Sequence, residues 1–392
     1  MRAKAIVVLT FLLFSVSSGL AATYTVLYSF GGTPDGSGPY QAGVVFDQSG
    51  NLYGVTQYGG LYGEGTVFQL TPSPGGGWTE NILHNFALSS DGGSPWGGLA
   101  IDGSGNLYGT ALYGPGGIGC GLVFQLSPSE SGWTFNVLHA FNGGKDGCVP
   151  QGDVMLGGSE LYGVTAMGGG ESRGTIYYMS TSGSGYYAWP FQGTVGSGPE
   201  GMGFCGLYTC GTTMIGGKEG GGTLYKWEGG YPSAMIAFKR SDKAGYLPIG
   251  NLVSSDYNVY GATSSGGVGR DGTIYQLYLN RRMAWSLRVL HSFSAFAGDG
   301  DSPWAGVILD AAGNVYGTTM YGGSDPGYGG TVFKLTPGAK NKWTETVLYS
   351  FSGGSDGGVP TGSIVFDSAG NIYGTTMSGG AYGQGVVYEV TP

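Results

Sequence analysis

The sequence predicts an all-β fold: a single seven-bladed β-propeller of four-stranded antiparallel blades over residues 23–392. Three observations carry this. A strand, glycine loop and second strand, as in Asn371-Ile-Tyr-Gly-Thr-Thr leading to Gly385-Val-Val-Tyr-Glu-Val, occur seven times, with the shared glycine at 54, 109, 163, 211, 261, 317 and 374. A period of roughly fifty residues marks propellers and repeat arrays. The chain opens after its leader on what reads as a fourth strand, Thr23-Tyr-Thr-Val-Leu-Tyr-Ser-Phe30, and ends after a third, so the two ends together make one blade and latch the ring. Each first strand carries a small residue near its start (Ala42, Gly97, Gly152, Gly201, Gly250, Ala305, Gly362), as crowding about a central axis requires.

The first 22 residues read as a secretory leader. Arg2 and Lys4 give a charged start, Ala5 to Phe14 an apolar run too short to span a bilayer, and Ser15 to Ala22 the small residues of a cleavage site. No lipobox cysteine follows, and no further long apolar stretch predicts membrane insertion. The expected product is a secreted, extracellular monomer.

The second repeat shows how each blade is written. Trp96 to Asp102 is the first strand, Ser104-Gly-Asn106 a turn, Asn106 to Ala111 the second strand, Leu122 to Ser127 the third and Trp133 to Phe141 the fourth. The other copies run Asn51-Leu-Tyr-Gly to Gly65-Thr-Val-Phe, Leu161-Tyr-Gly to Gly174-Thr-Ile-Tyr, a worn Tyr208-Thr-Cys-Gly to Gly222-Thr-Leu-Tyr, Val259-Tyr-Gly to Gly272-Thr-Ile-Tyr, and Asn314-Val-Tyr-Gly to Gly330-Thr-Val-Phe. No segment keeps the 3.6-residue apolar spacing of a helix. A unit this small cannot bury its own faces and must stack on copies of itself. The worn fourth repeat leaves eight blades as the competing count.

Composition agrees. Glycine is 84 of 392 residues and charged residues are 10%, yet 41% of the chain is hydrophobic and its 28 tyrosines recur in register, which favours short strands and tight turns over disorder. The net charge of −9 becomes −11 once Arg2 and Lys4 leave with the leader, which argues against nucleic acid and anionic membranes as partners. Four cysteines in an exported chain favour disulfides. Cys120 and Cys148 fall on one face of blade two, and Cys205 and Cys210 flank the short turn of the fourth repeat, so these are the expected pairs.

The repeat Asn-Leu-Tyr-Gly-Thr…Gly-Gly…Gly-Thr-Val-Phe-x-Leu resembles the GloVer-type tandem-repeat proteins of the choice-of-anchor group, over essentially the whole mature chain. The resemblance implies an exported bacterial repeat protein and no particular activity. No anchor segment follows the last repeat, which sets the chain apart from that group's usual plan.

Antiparallel strands place the loops between second and third strands on the same face as the links between blades, and that face is expected to hold the ligand. The residue before each small one should ring the channel mouth: Gln41, Trp96, Gln151, Glu200, Ile249, Trp304 and Thr361. Indole faces among amides, a carboxyl and a hydroxyl suit a sugar. Around them the glycine loops carry Tyr58, Tyr62, Tyr113, Tyr321, Tyr328 and Tyr382, with Arg173 and Arg270. The competing account is packing: tryptophans under glycine loops, and tyrosine as repeat decoration.

The Asp-Gly links at Asp35, Asp91, Asp146, Asp299 and Asp356 read as turn chemistry rather than calcium sites, because they recur in nearly every blade. Ser89 to Trp96 matches a sialidase Asp-box string but follows a fourth strand, the wrong place for one. His84, His139 and His291 lie on three different outer strands, so they read as structural and no metal or cofactor is expected. Gly353-Gly-Ser-Asp-Gly357 mimics a nucleophile elbow without a following helix or a histidine to serve it. Glu200 is the one candidate catalytic acid, and glycoside hydrolysis usually needs a pair. The reading is therefore a non-catalytic binding propeller for carbohydrate or a cell-surface polymer. A polysaccharide lyase or glycoside hydrolase is the alternative, and a protein-interaction scaffold the third.

Overall fold

A computed structural model describes residues 22–392, apart from positions 118, 207, 241, 242, 296, 297 and 326. The predicted leader lies outside the described residues except for Ala22. The described chain forms a seven-bladed propeller of antiparallel blades, each numbered here by its repeat. Blade four is typical, with Ser197–Cys205, Tyr208–Ile215, Gly220–Trp227 and Ser233–Lys239 ordered from the axis outward. Blade three is built from Cys148–Gly157, Glu160–Met167, Thr175–Ser180 and Tyr187–Pro190. Blade seven combines Val365–Phe366, Ile372–Thr376 and Val386–Thr391 with the first strand of the chain, Thr23–Ser29. That strand pairs along its length with the last, from Thr23 opposite Thr391 to Ser29 opposite Val386. The ring is thus closed by hydrogen bonds between the two ends of the chain.

The core lies between blades rather than within them. Among the described residues seven apolar clusters are found, one at each junction. At the closing junction Tyr373 and Val387 of blade seven meet Val44, Leu52, Phe68 and Leu70 of blade one, with Phe30 fully buried among them. Every blade buries both faces, which is why the repeats cannot stand alone.

The Tyr-Gly of the repeat has a packing cause. The aromatic residue of the third strand lies across the glycine of the second: a Cβ on Gly54 would sit 2.5 Å from the Phe68 ring, and one on Gly261 2.5 Å from the Tyr275 hydroxyl. Some blades have Phe at this position and others Tyr. The hydroxyls of Tyr177, Tyr275 and Tyr388 are buried with no hydrogen-bond partner among the described residues. An unsatisfied buried hydroxyl costs about 1–3 kcal/mol. Tyr275→Phe is therefore expected to raise stability by up to about 1 kcal/mol in denaturant titration; a clear loss of stability would mean the hydroxyl has a partner.

The two faces differ as the strand directions require. On one, Asp47, Asp102, Asp310 and Asp367 close tight turns, each accepting from the tyrosine six residues on (Tyr53, Tyr108, Tyr316, Tyr373) at 3.0–3.2 Å. On the other, inter-blade links pair with the loops between second and third strands, as Gly36–Ser37 does with Tyr58–Gly59 and Gly300–Asp301 with Tyr321–Gly322. The link aspartates cap their own loops: Gly31, Ala87, Asn142, Ser294 and Ser352 donate backbone N–H groups to Asp35, Asp91, Asp146, Asp299 and Asp356. They also meet the outer-strand Tyr28, His84, His139, His291 and Tyr349 at 2.9–3.0 Å.

Candidate functional site

The small residues of the first strands stand backbone against backbone around the axis. A Cβ on Gly97 would lie 2.1 Å from the Gly152 carbonyl oxygen, one on Gly152 2.2 Å from that of Glu200, and one on Gly201 2.3 Å from that of Gly250. The bore is consequently narrow, with room of about 20 Å³, enough for a water. It is also crossed. The Asp153 carboxylate accepts from Gly98 N at 2.5 Å and from Asn251 Nδ2 at 2.5 Å, and the Ser363 hydroxyl lies 3.4 Å away. Three blades beside its own are tied together at this point. Protein surrounds Asp153 although part of its surface faces the bore, and this burial raises its pKa against the lowering effect of those hydrogen bonds. The channel is therefore a blind cup opening on the face of the inter-blade links.

Of the predicted mouth residues, Gln41, Glu200, Trp304 and Thr361 line this bore together. Trp96 joins them by donating its indole N–H to Gln41 Oε1 at 2.6 Å. Gln151 is not among the lining residues, although its neighbours Gly152 and Asp153 are. Ile249 is buried. Tyr58 is half exposed and, with Tyr321, lies close to Tyr40. Tyr113 stands exposed at the end of its strand, Arg173 pairs with Glu171 of its own loop at 2.8 Å, and Arg270 is exposed.

Tyr40 is the mouth residue that sequence reading missed. Its ring meets Trp96 edge-on at 4.6 Å, and its hydroxyl lies among Glu200, Trp304, Tyr58 and Tyr321. Blade one has one more residue between its proline and its small residue (Pro39-Tyr40-Gln41-Ala42) than blade two (Pro95-Trp96-Gly97). Gln41 absorbs the extra length in a left-handed conformation, φ 52. The spacing was the available signal.

Two groups at the mouth are chemically unspent. Trp304 Nε1 is buried near the Tyr40 hydroxyl without reaching hydrogen-bond geometry. The Glu200 carboxyl, with the residue 5% exposed, has no hydrogen-bond partner among the described residues, and burial alone lifts its pKa to about 8. At neutral pH it is mostly protonated, a neutral donor and acceptor. A carboxyl raised in this way favours the folded state when protonated. Stability is therefore full below its ordinary pKa of 4.5 and falls as pH rises from there to about 8. Each pH unit in that window removes up to about 1.4 kcal/mol. Glu200→Gln is expected to flatten this part of the stability–pH curve; an unchanged slope would place the carboxyl in water.

The histidines stand on separate blades, each beside its link aspartate. His291 additionally meets a carboxylate of the next blade: its Nε2 is 3.0 Å from Asp299 and 3.9 Å from Glu345. The donor atoms of the three lie within 4.8 Å of one another, a spacing able to hold a metal ion. Separation of the histidines from each other thus did not exclude one of them from such a cluster. The cysteines are joined as Cys120–Cys148 and Cys205–Cys210. Among the described residues no helix is long and apolar enough to cross a membrane.

A closed ring of repeats around a blind cup, stapled by disulfides, defines a repeat propeller of a kind that fits an extracellular setting. The chain belongs to the Gloeobacter/Verrucomicrobia repeat family, whose profile matches residues 12–208 and 206–392. Among curated proteins no sequence relative matches. Solved structures share the fold. The extracellular domain of a protein described as a one-component system from B. thetaiotaomicron superposes with a TM-score of 0.57 at 9% identity, over 93% of this chain and 39% of that one. The periplasmic gluconolactonase of Pseudomonas aeruginosa gives 0.52 at 13% identity, over 79% and 85%. At such identities the likeness is one of fold.

Proposed function

We propose that this protein is a non-catalytic, exported binding propeller that takes a carbohydrate chain at the channel mouth. The observation that carries this reading is the cup itself. Trp304 lines it, Trp96 is tied to it through Gln41 and meets the Tyr40 ring edge-on, and Trp304 Nε1 and the Glu200 carboxyl have no hydrogen-bond partner among the described residues. Aromatic faces stack on the apolar faces of sugars, and unpaired donors and acceptors take hydroxyls. The second acid of the bore, Asp153, is taken up by Gly98, Asn251 and Ser363, which leaves Glu200 without a free carboxylate partner and supports binding over glycoside hydrolysis. The crossed bore favours a ligand that rests on the mouth over one that threads it.

Retention on insoluble polysaccharides tests this. The parent chain should be retained with no soluble product released, and Trp96→Ala with Trp304→Ala should weaken retention about tenfold or more. Tyr58→Ala, at an exposed site, should weaken it without disturbing the fold. Release of reducing ends or unsaturated products, abolished by Glu200→Gln, would establish the lyase or hydrolase alternative instead. Retention indifferent to all three aromatic changes would remove the mouth from consideration.

A further inference from the structure

The seven repeats serve as internal controls for one another, and their departures coincide at one place. On the turn face, between blades three and four, lies a cleft of about 470 Å³. Its wall includes Tyr178, where other repeats have Gln69, Gln125, Lys226, Gln276, Lys334 or Glu389, and Trp227, where they have Leu, Met or Val. At the position of the repeat's tyrosine blade four has Cys210, and two residues earlier, where five other repeats have Asn, it has Tyr208, whose hydroxyl is buried in the wall with no hydrogen-bond partner among the described residues. Cys210 is bridged to Cys205, and Phe204 stands 49% exposed at the edge.

Two carboxylates lie in this wall, and among the described residues only one of them meets a cation. Glu228 holds Lys226 Nζ at 3.0 Å, and that same ammonium lies 5.7 Å from the centre of the Tyr208 ring. Glu160, also in the wall, accepts from the Tyr162 hydroxyl, and no described cation pairs with it. Ring faces converging beside an uncompensated carboxylate attract cations, quaternary ammonium groups above all. We propose that this cleft is a second binding site, distinct from the channel mouth, for a ligand bearing an organic ammonium group, with Glu160 as its counter-ion and Tyr178 and Trp227 as its ring faces. This site does not depend on what the mouth binds.

The test compares choline with its uncharged isostere 3,3-dimethylbutanol, titrated into the whole mature protein by calorimetry and tryptophan fluorescence. Choline is expected to bind saturably and about tenfold or more tightly than the isostere. Glu160→Gln and Tyr178→Leu should each remove about tenfold, while Trp304→Ala at the mouth changes nothing. Equal binding of the two probes, no saturable binding of choline, or a folded Glu160→Gln protein with parental affinity would each overturn the proposal. Because Tyr178 also stacks on Tyr187 and Trp189, unfolding temperatures are measured alongside, and Glu160→Gln is decisive if Tyr178→Leu does not fold.

Discussion

Deleting Thr23–Phe30 is expected to abolish cooperative folding rather than trim a tail. The segment supplies the outer strand of blade seven, paired with Val386–Thr391. It buries Phe30 completely against Phe68 and stacks Tyr24 on Tyr349 of blade six at 3.9 Å. Truncating one buried phenylalanine costs about 3–5 kcal/mol, and a whole domain is stable by only about 5–15 kcal/mol. The bared edge would also invite pairing between chains. Thermal unfolding should lose its sharp transition and the chain should aggregate. A synthetic peptide of residues 23–30 added in trans should restore part of the transition, since an open edge accepts a strand of the right register. A truncated protein with the parental unfolding temperature would show that the ring does not depend on its latch.

Gly97→Val should be nearly as damaging. The first carbon of any side chain there would lie 2.1 Å from the Gly152 carbonyl oxygen and 3.1 Å from Asp153 N. Both obstacles are backbone of the next blade, so relief requires spreading the ring and moving Asp153 away from Gly98 and Asn251. A loss of about 3 kcal/mol or more is expected in urea titration. Gly75→Ala is the control, because nothing lies within 4 Å of that position, and it should stay within about 0.5 kcal/mol of the parent. Equal stability of the two variants would place Gly97 away from the axis.

Much of the fold was legible because repetition multiplies weak signals. One Tyr-Gly is uninformative, but six in register, with Cys210-Gly211 in the worn fourth copy, fix the strands, and the small residues from Ala42 to Gly362 locate the axis. The site was legible in part. Glu200, Trp304, Gln41 and Thr361 do share one cavity. Tyr40 was lost to a one-residue insertion, which shifts register without disturbing any strand pattern. The crossing of the bore could not be read at all, since Asp153 reaches Asn251 and Ser363 across 98 and 210 residues of chain. The aromatic cleft was hidden in the same way: Tyr178 and Trp227 belong to different repeats and look like ordinary strand residues in each.

The sequence alone determined the strand order within the blades and the meeting of the two ends, because these follow from a period and from faces that must be buried; the structure decided for seven blades over eight. Only the tertiary structure decided that the channel is closed, that Glu200 is left unpaired at its mouth, and that blades three and four open a cleft between them. Those features depend on which side chains from distant repeats come within a few ångströms, and periodicity carries no information about the distances between unlike residues.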